Sequence, residues 1–134
     1  MAVTLVNERT RTPVATSVEL ADTRRTRRKG LLGRDSMRAD EAIVITPCVA
    51  VHTAFMRFAI DVVFIDDDGR AVQLVHDMQP WRMAASLSAY AVVEMAAGRI
   101  KACGVEVGDR LSLSPSVADS SRCGADRYGP PKAS

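Results

Sequence analysis

A chain of 134 residues, 47% hydrophobic and 25% charged, suits one globular domain that buries a core of its own. A formal net charge of +2 is too small to imply a polyanion partner by itself. No run of about 18 apolar residues offers a membrane span, and the start MAVTLVNERT lacks the basic-then-apolar pattern of a secretory signal. The expected location is therefore the cytoplasm. Cys48, Cys103 and Cys123 form an odd set with no Cys-x-x-Cys pair, which fits reduced thiols in that compartment.

Taken in chain order, Ala2–Val6 and Val14–Leu20 read as two strands, joined by polar residues from Asn7 to Pro13 into a hairpin. Asp22 or Thr23 can cap a helix that runs to about Leu32 and stops at Gly33. Glu41–Ile45 is a short apolar strand ended by Thr46-Pro47. The stretch from Val49 to Ile65 is too long for one strand, so it reads as Val49–Met56 and Ile60–Ile65 with a bend between them. Asp67-Asp68-Gly69 supplies a tight turn into a partner strand, Arg70–Val75. Asp77–Ser88 reads as a long loop, Ala91–Met95 as a strand, and Ala97–Cys103 as one or two helical turns closed by Gly104. A turn around Gly108 leads to a last strand, Arg110–Leu113. Aromatics are only 4% of the chain, so Val, Ile, Leu, Ala and Met must fill the core. The sum is a β-rich α+β domain over residues 1–114, a small, mostly antiparallel sheet curled into a barrel or sandwich, with two short helices. Residues 115–134, rich in Ser, Pro, Gly and Asp, read as a disordered tail.

An ordered set of pieces runs from Lys29 to Leu113: Gly30-Leu31-Leu32-Gly33-Arg34, then His52-Thr53 with Phe55-Met56-Arg57, then Ile60-Asp61-Val62-Val63-Phe64-Ile65-Asp66 and Gly69. Val93-Glu94-Met95 with Ala97-Gly98 follows, and Val107-Gly108-Asp109-Arg110-Leu111 closes the set. In this order the pieces resemble the DUF192 family, a widespread family named for its unknown function. The family pattern usually has Pro where this chain has Ala59, and often where it has Ala96. The resemblance implies a small β-rich domain with no established reaction.

His52 to Asp61 is the one dense mix of polar and aromatic groups in an apolar run. In a straight strand those nine steps span roughly 30 Å and place the two side chains on opposite faces. A bend near Arg57–Ala59 would instead gather His52, Arg57 and Asp61. A polar site would then have His52 as proton shuttle or ligand contact, Arg57 as anion clamp and Asp61 as the orienting carboxylate. The structural alternative has Asp61 pairing with Arg57 or accepting backbone N–H bonds at the bend, and His52 as a satisfied core or rim residue. Trp81, the sole tryptophan, either covers one end of the sheet or lines a pocket with Phe55 and Tyr90. The candidate pocket is therefore His52, Phe55, Arg57, Asp61 and Trp81.

Other chemistry has less support. Cys48 and His52, with His76 and Cys103 brought in by folding, supply only half of a zinc pattern, so no metal site and no cofactor is assigned. Hydrolase elbows, phosphate loops and metalloprotease signatures are absent. Asp66-Asp67-Asp68 reads as an exposed turn. The basic run Arg24, Arg25, Arg27, Arg28 and Lys29 offers a candidate polyanion contact, or simply a solvated helix. The leading expectation is a monomeric, non-catalytic binding or accessory module for a small molecule or protein, with no membrane partner. The alternatives are an enzyme acting on a small anionic or sugar-like substrate with His52 as acid/base, and nucleic-acid binding through the basic run.

Overall fold

The computed structural model describes residues 3–21 and 34–115. Its strands are β1 (Val3–Asn7), β2 (Thr12–Ala15), β3 (Ser17–Ala21), β4 (Glu41–Ile45), β5 (Ala50–His52), β6 (Ile60–Ile65), β7 (Ala71–Met78), β8 (Met83–Ala85), β9 (Ala91–Ala96) and β10 (Leu111–Pro115). One short helix among the described residues, α1 (Arg99–Cys103), precedes the last strand and is closed by Gly104 at φ 70°. The expected helix ending near Leu32 lies outside the described residues, as does the segment expected to form the tail except Pro115, which is the last residue of β10.

The strands form three sheets, ordered β10-β1-β2, β3-β4-β9-β6-β7 and β5-β8, and these do not close into the barrel expected as one option. Pairing is antiparallel except between β3 and β4, which run parallel from Ser17 opposite Glu41 to Ala21 opposite Ile45. The predicted strand Val14–Leu20 is in fact two. Thr16 and Ser17 both donate to the Asp40 carbonyl, and there the chain leaves one sheet for another.

The middle strands β4, β9 and β6 are buried almost throughout, without polar alternation. This pattern follows when both faces of a sheet are covered. One face carries Val44, Val63, Val93 and Met95, packed with Leu5, Val14, Ile100 and Leu111. The other carries Ile43, Ile45, Val62, Phe64 and Val92, packed with Val51, Met56 and Met78 and, more loosely, Phe58 and Ala84. The small β5–β8 ribbon and the segment after it thus lie over the second face.

Two further expectations change. Residues 77–88 are not simply a loop, because β7 continues to Met78 and β8 pairs with β5. Strand β5 stops at His52 rather than Met56, since Phe55 adopts a left-handed φ of 66°. The tight turn after β6 holds as read. Gly69 has φ 85°, and a Cβ there would meet the Leu111 carbonyl oxygen at 2.8 Å, so glycine alone fits.

Candidate functional site

Asp61 sits at the register position opposite Met95, on the face that packs against α1. It is fully buried, and its carboxylate accepts two backbone bonds: Oδ1 from Asp77 N–H and Oδ2 from Ile100 N–H, both at 2.8 Å. The β6–β7 register slips just here, and Asp77 has a left-handed φ of 52°. The carboxylate takes the amide that the irregular ladder leaves over, and it also anchors the first turn of α1.

His52 is exposed on β5, part of the ribbon over the opposite face. Arg57 is also exposed and pairs with Asp35 at 2.7 Å. The bend therefore exists, but it does not gather His52, Arg57 and Asp61, because the sheet separates Asp61 from the ribbon. Asp61 does accept backbone N–H bonds, but from Asp77 and Ile100 on other elements rather than at the bend.

Phe55 and Trp81 do come together. Their ring centroids are 4.6 Å apart with planes tilted by 60°, within the contact distance of aromatic pairs. Both stay largely exposed, at 71% and 60%, and both have positive φ, 66° and 67°. Thr53 fixes the pair from beneath. It is fully buried, and its carbonyl accepts N–H bonds from Met56 (3.1 Å) and Trp81 (3.0 Å). Its hydroxyl donates to the Gln79 carbonyl at 2.7 Å and accepts from Arg82 N–H at 2.8 Å. Tyr90 is half exposed and takes no part in the ring contact.

The ribbon extends this surface. Val51 and Ala84 turn inward, so by alternation Ala50, His52, Met83 and Ala85 face outward, with His52 opposite Met83. Met83 is 77% exposed, and Leu87, just beyond the strand, is 93% exposed. An apolar strip thus runs from the aromatic pair along the ribbon to Leu87.

Two acidic residues that matter were not singled out as site candidates from sequence. Glu94 lies on the central strand β9, between Ile43 and Val62 in register, and burial pushes its carboxyl up to about 7. A charged residue inside the apolar run Ala91–Ala96 was the available signal. Asp109 follows the Gly108 turn and holds together groups far apart in the chain. Burial alone would raise its pKa, but the Arg9 guanidinium (2.6 Å), Glu106 N–H and the Asn7 amide (2.8 Å each) outweigh it and lower it.

The four metal candidates do not assemble. Among the described residues, the one group of three His, Cys, Asp or Glu with ligand atoms within 4.8 Å is Asp66, Asp67 and Asp68. Asp66 Oδ1 accepts N–H bonds from Asp68 and Arg70, as a turn requires. Cys103 is disulfide-bonded, which departs from the expectation of reduced thiols. The basic run Arg24, Arg25, Arg27, Arg28 and Lys29 lies outside the described residues. No described helix is long and apolar enough to cross a membrane.

Known proteins share this architecture. A crystal structure of a protein of unknown function from Novosphingobium aromaticivorans matches with a TM-score of 0.71 at 21% identity, over 82% of each chain. Another, from Sinorhizobium meliloti, provisionally named a transcription regulator, matches with a TM-score of 0.72 at 27% identity, over 83% of this chain and 91% of that one. A UPF0127 protein of Pyrococcus furiosus is 44% identical over 63 residues, which is 46% of this chain and about half (53%) of that relative's length. The profile of the DUF192 family, described as uncharacterized, matches residues 5–113, and the chain belongs to that family.

Proposed function

We propose that this protein is a non-catalytic binding module that engages a small molecule or a protein through the Phe55–Trp81 surface. One observation carries this reading: two aromatic residues in tilted ring contact are held on left-handed backbone and left exposed. A non-glycine residue in that region costs about 1–2 kcal/mol, and here no burial of the rings offsets it. Strain retained at an exposed, rigidly supported aromatic pair is what a ligand-contacting loop on a β scaffold would have. The acid/base alternative lacks its orienting group, because both oxygens of Asp61 bond backbone amides on the other face of the sheet.

The test is a panel of peptides, sugars, nucleotides and small carboxylates, read by melting temperature and by the emission of Trp81, the sole tryptophan. A ligand at 100 times its Kd stabilises the native state by about 2.7 kcal/mol. Binding that survives Phe55→Ala and Trp81→Phe together would overturn the proposal.

A second reading rests on the likeness to the Sinorhizobium meliloti protein and its provisional name. It assigns DNA binding to Arg24, Arg25, Arg27, Arg28 and Lys29. Affinity for a duplex should then fall steeply with salt, and Ala at these positions should abolish it. Absence of binding at low salt would remove this reading.

A further inference from the structure

The aromatic pair does not stand alone, and beside it Arg82 is a cation that no described carboxylate balances. The outward face of the β5–β8 ribbon continues it with Met83 and ends at Leu87, both more exposed than either ring. From Trp81 to Leu87 is six residues, so the strip is at most about 20 Å long, the reach of a short extended peptide. A single small-molecule pocket would be concave and enclosed. This strip is built on a two-stranded ribbon whose strands pair in a ladder only with each other.

The charge is at the aromatic end. Arg82 is exposed, and its guanidinium bonds the Trp81 carbonyl oxygen at 3.5 Å; among the described residues it pairs with no carboxylate. Arg57 is exposed two residues beyond Phe55, where Asp35 balances it. His52 stands opposite Met83 on the outward face of the ribbon. A second copy of this chain would set Arg82 against its own counterpart if the strips met in parallel. If they met antiparallel, it would bring Leu87 and no carboxylate of the strip against Arg82. The complement must therefore supply its own acid.

We propose that the strip binds an extended acidic segment of a partner protein. An apolar side chain of that segment packs on Phe55 and Trp81, and a carboxylate pairs with Arg82. This inference rests on the binding-module reading above and narrows its ligand class.

The experiment uses the full chain and follows Trp81 emission. Four probes are titrated: a ten-residue peptide alternating Glu with Phe and Leu, the same peptide with Lys for Glu, the same with Ser for Glu, and phosphatidylglycerol vesicles. The acidic peptide should produce a saturable blue shift, with affinity falling about tenfold between low and moderately high salt. Arg82→Glu should weaken it about tenfold and Arg82→Gln by less, with melting temperatures unchanged because Arg82 is exposed. Equal binding of the Lys peptide, or no effect of Arg82→Glu, would overturn the inference. A shift with vesicles or the Ser peptide and none with the acidic peptide would overturn it too, yet leave the binding-module reading standing. No shift with any probe would count against both.

Discussion

The two faces of the five-stranded sheet use polar and aromatic residues in opposite ways. On the face packed against α1 and the three-stranded sheet, Asp61 is buried and each oxygen is bonded to a backbone amide from a different element. At the far end of the same region, Asp109 joins Asn7, Arg9 and Glu106. On the other face the ribbon leaves Phe55, Trp81, Met83 and Leu87 in water, two of them on strained backbone. The first arrangement is what a fold needs, since a buried amide without a partner is costly. The second contributes nothing evident to the fold, and this contrast is why function is sought on the ribbon.

The contrast is most sharply tested at Asp61. Asp61→Ala orphans the buried Ile100 N–H and the part-buried Asp77 N–H and should destabilise the protein by about 3 kcal/mol in urea unfolding. It should leave Trp81 emission in the folded protein unchanged, because the ribbon is on the other face. A loss under about 1 kcal/mol would break the structural assignment.

Glu94 places a titrating group within the ribbon-side core. Its carboxyl is raised from the ordinary 4.5 to about 7, so the folded state favours the neutral form. The stability this group contributes is fully present below about pH 4.5 and is lost as pH rises through about 7, a change of about 3 kcal/mol. Melting curves from pH 5 to 8 should show that decline in the native protein and a flatter profile in Glu94→Gln. Parallel profiles would rule the assignment out.

Asp109 has the reverse sign. Its lowered pKa means that its stabilisation is present above the usual carboxylate range and is lost as pH falls through the folded value. Asp109→Ala should cost about 2 kcal/mol at neutral pH, from the stranded Asn7 amide and Glu106 N–H. The penalty should shrink in acid, and a penalty constant with pH would contradict the hydrogen-bonded carboxylate.

The smallest stability effect belongs to the ribbon. Phe55→Gly removes the exposed ring and accepts φ 66° without strain, so stability should stay level or rise by about 1 kcal/mol. Binding at the strip should be lost nonetheless. A variant that unfolds more easily would make Phe55 a structural residue and remove the contrast.

Much of this was legible along the chain because it is local. The apolar runs at Glu41–Ile45, Ile60–Ile65 and Ala91–Met95, the Gly69 turn and the Gly104 stop depend on neighbouring residues, and all lie where read. Strand Met83–Ala85 was not legible, since three residues show no period and the strand exists only because Ala50–His52 pairs with it. The same holds for the break at Thr16, which is set by bonds to the distant Asp40 carbonyl.

The candidate site divides along the same line. Sequence nominated Phe55 and Trp81 as possible neighbours, and they are; it also set His52 beside Asp61, and the sheet lies between them. By itself the chain determined its β-rich class, its family and the residue types available for contact, because these follow from composition, period and motif order. Only the tertiary structure decided which face each residue serves. Side-chain direction alternates at every step of a strand, so the change of course between Thr53 and Ala59 separates the buried carboxylate from the exposed aromatic strip.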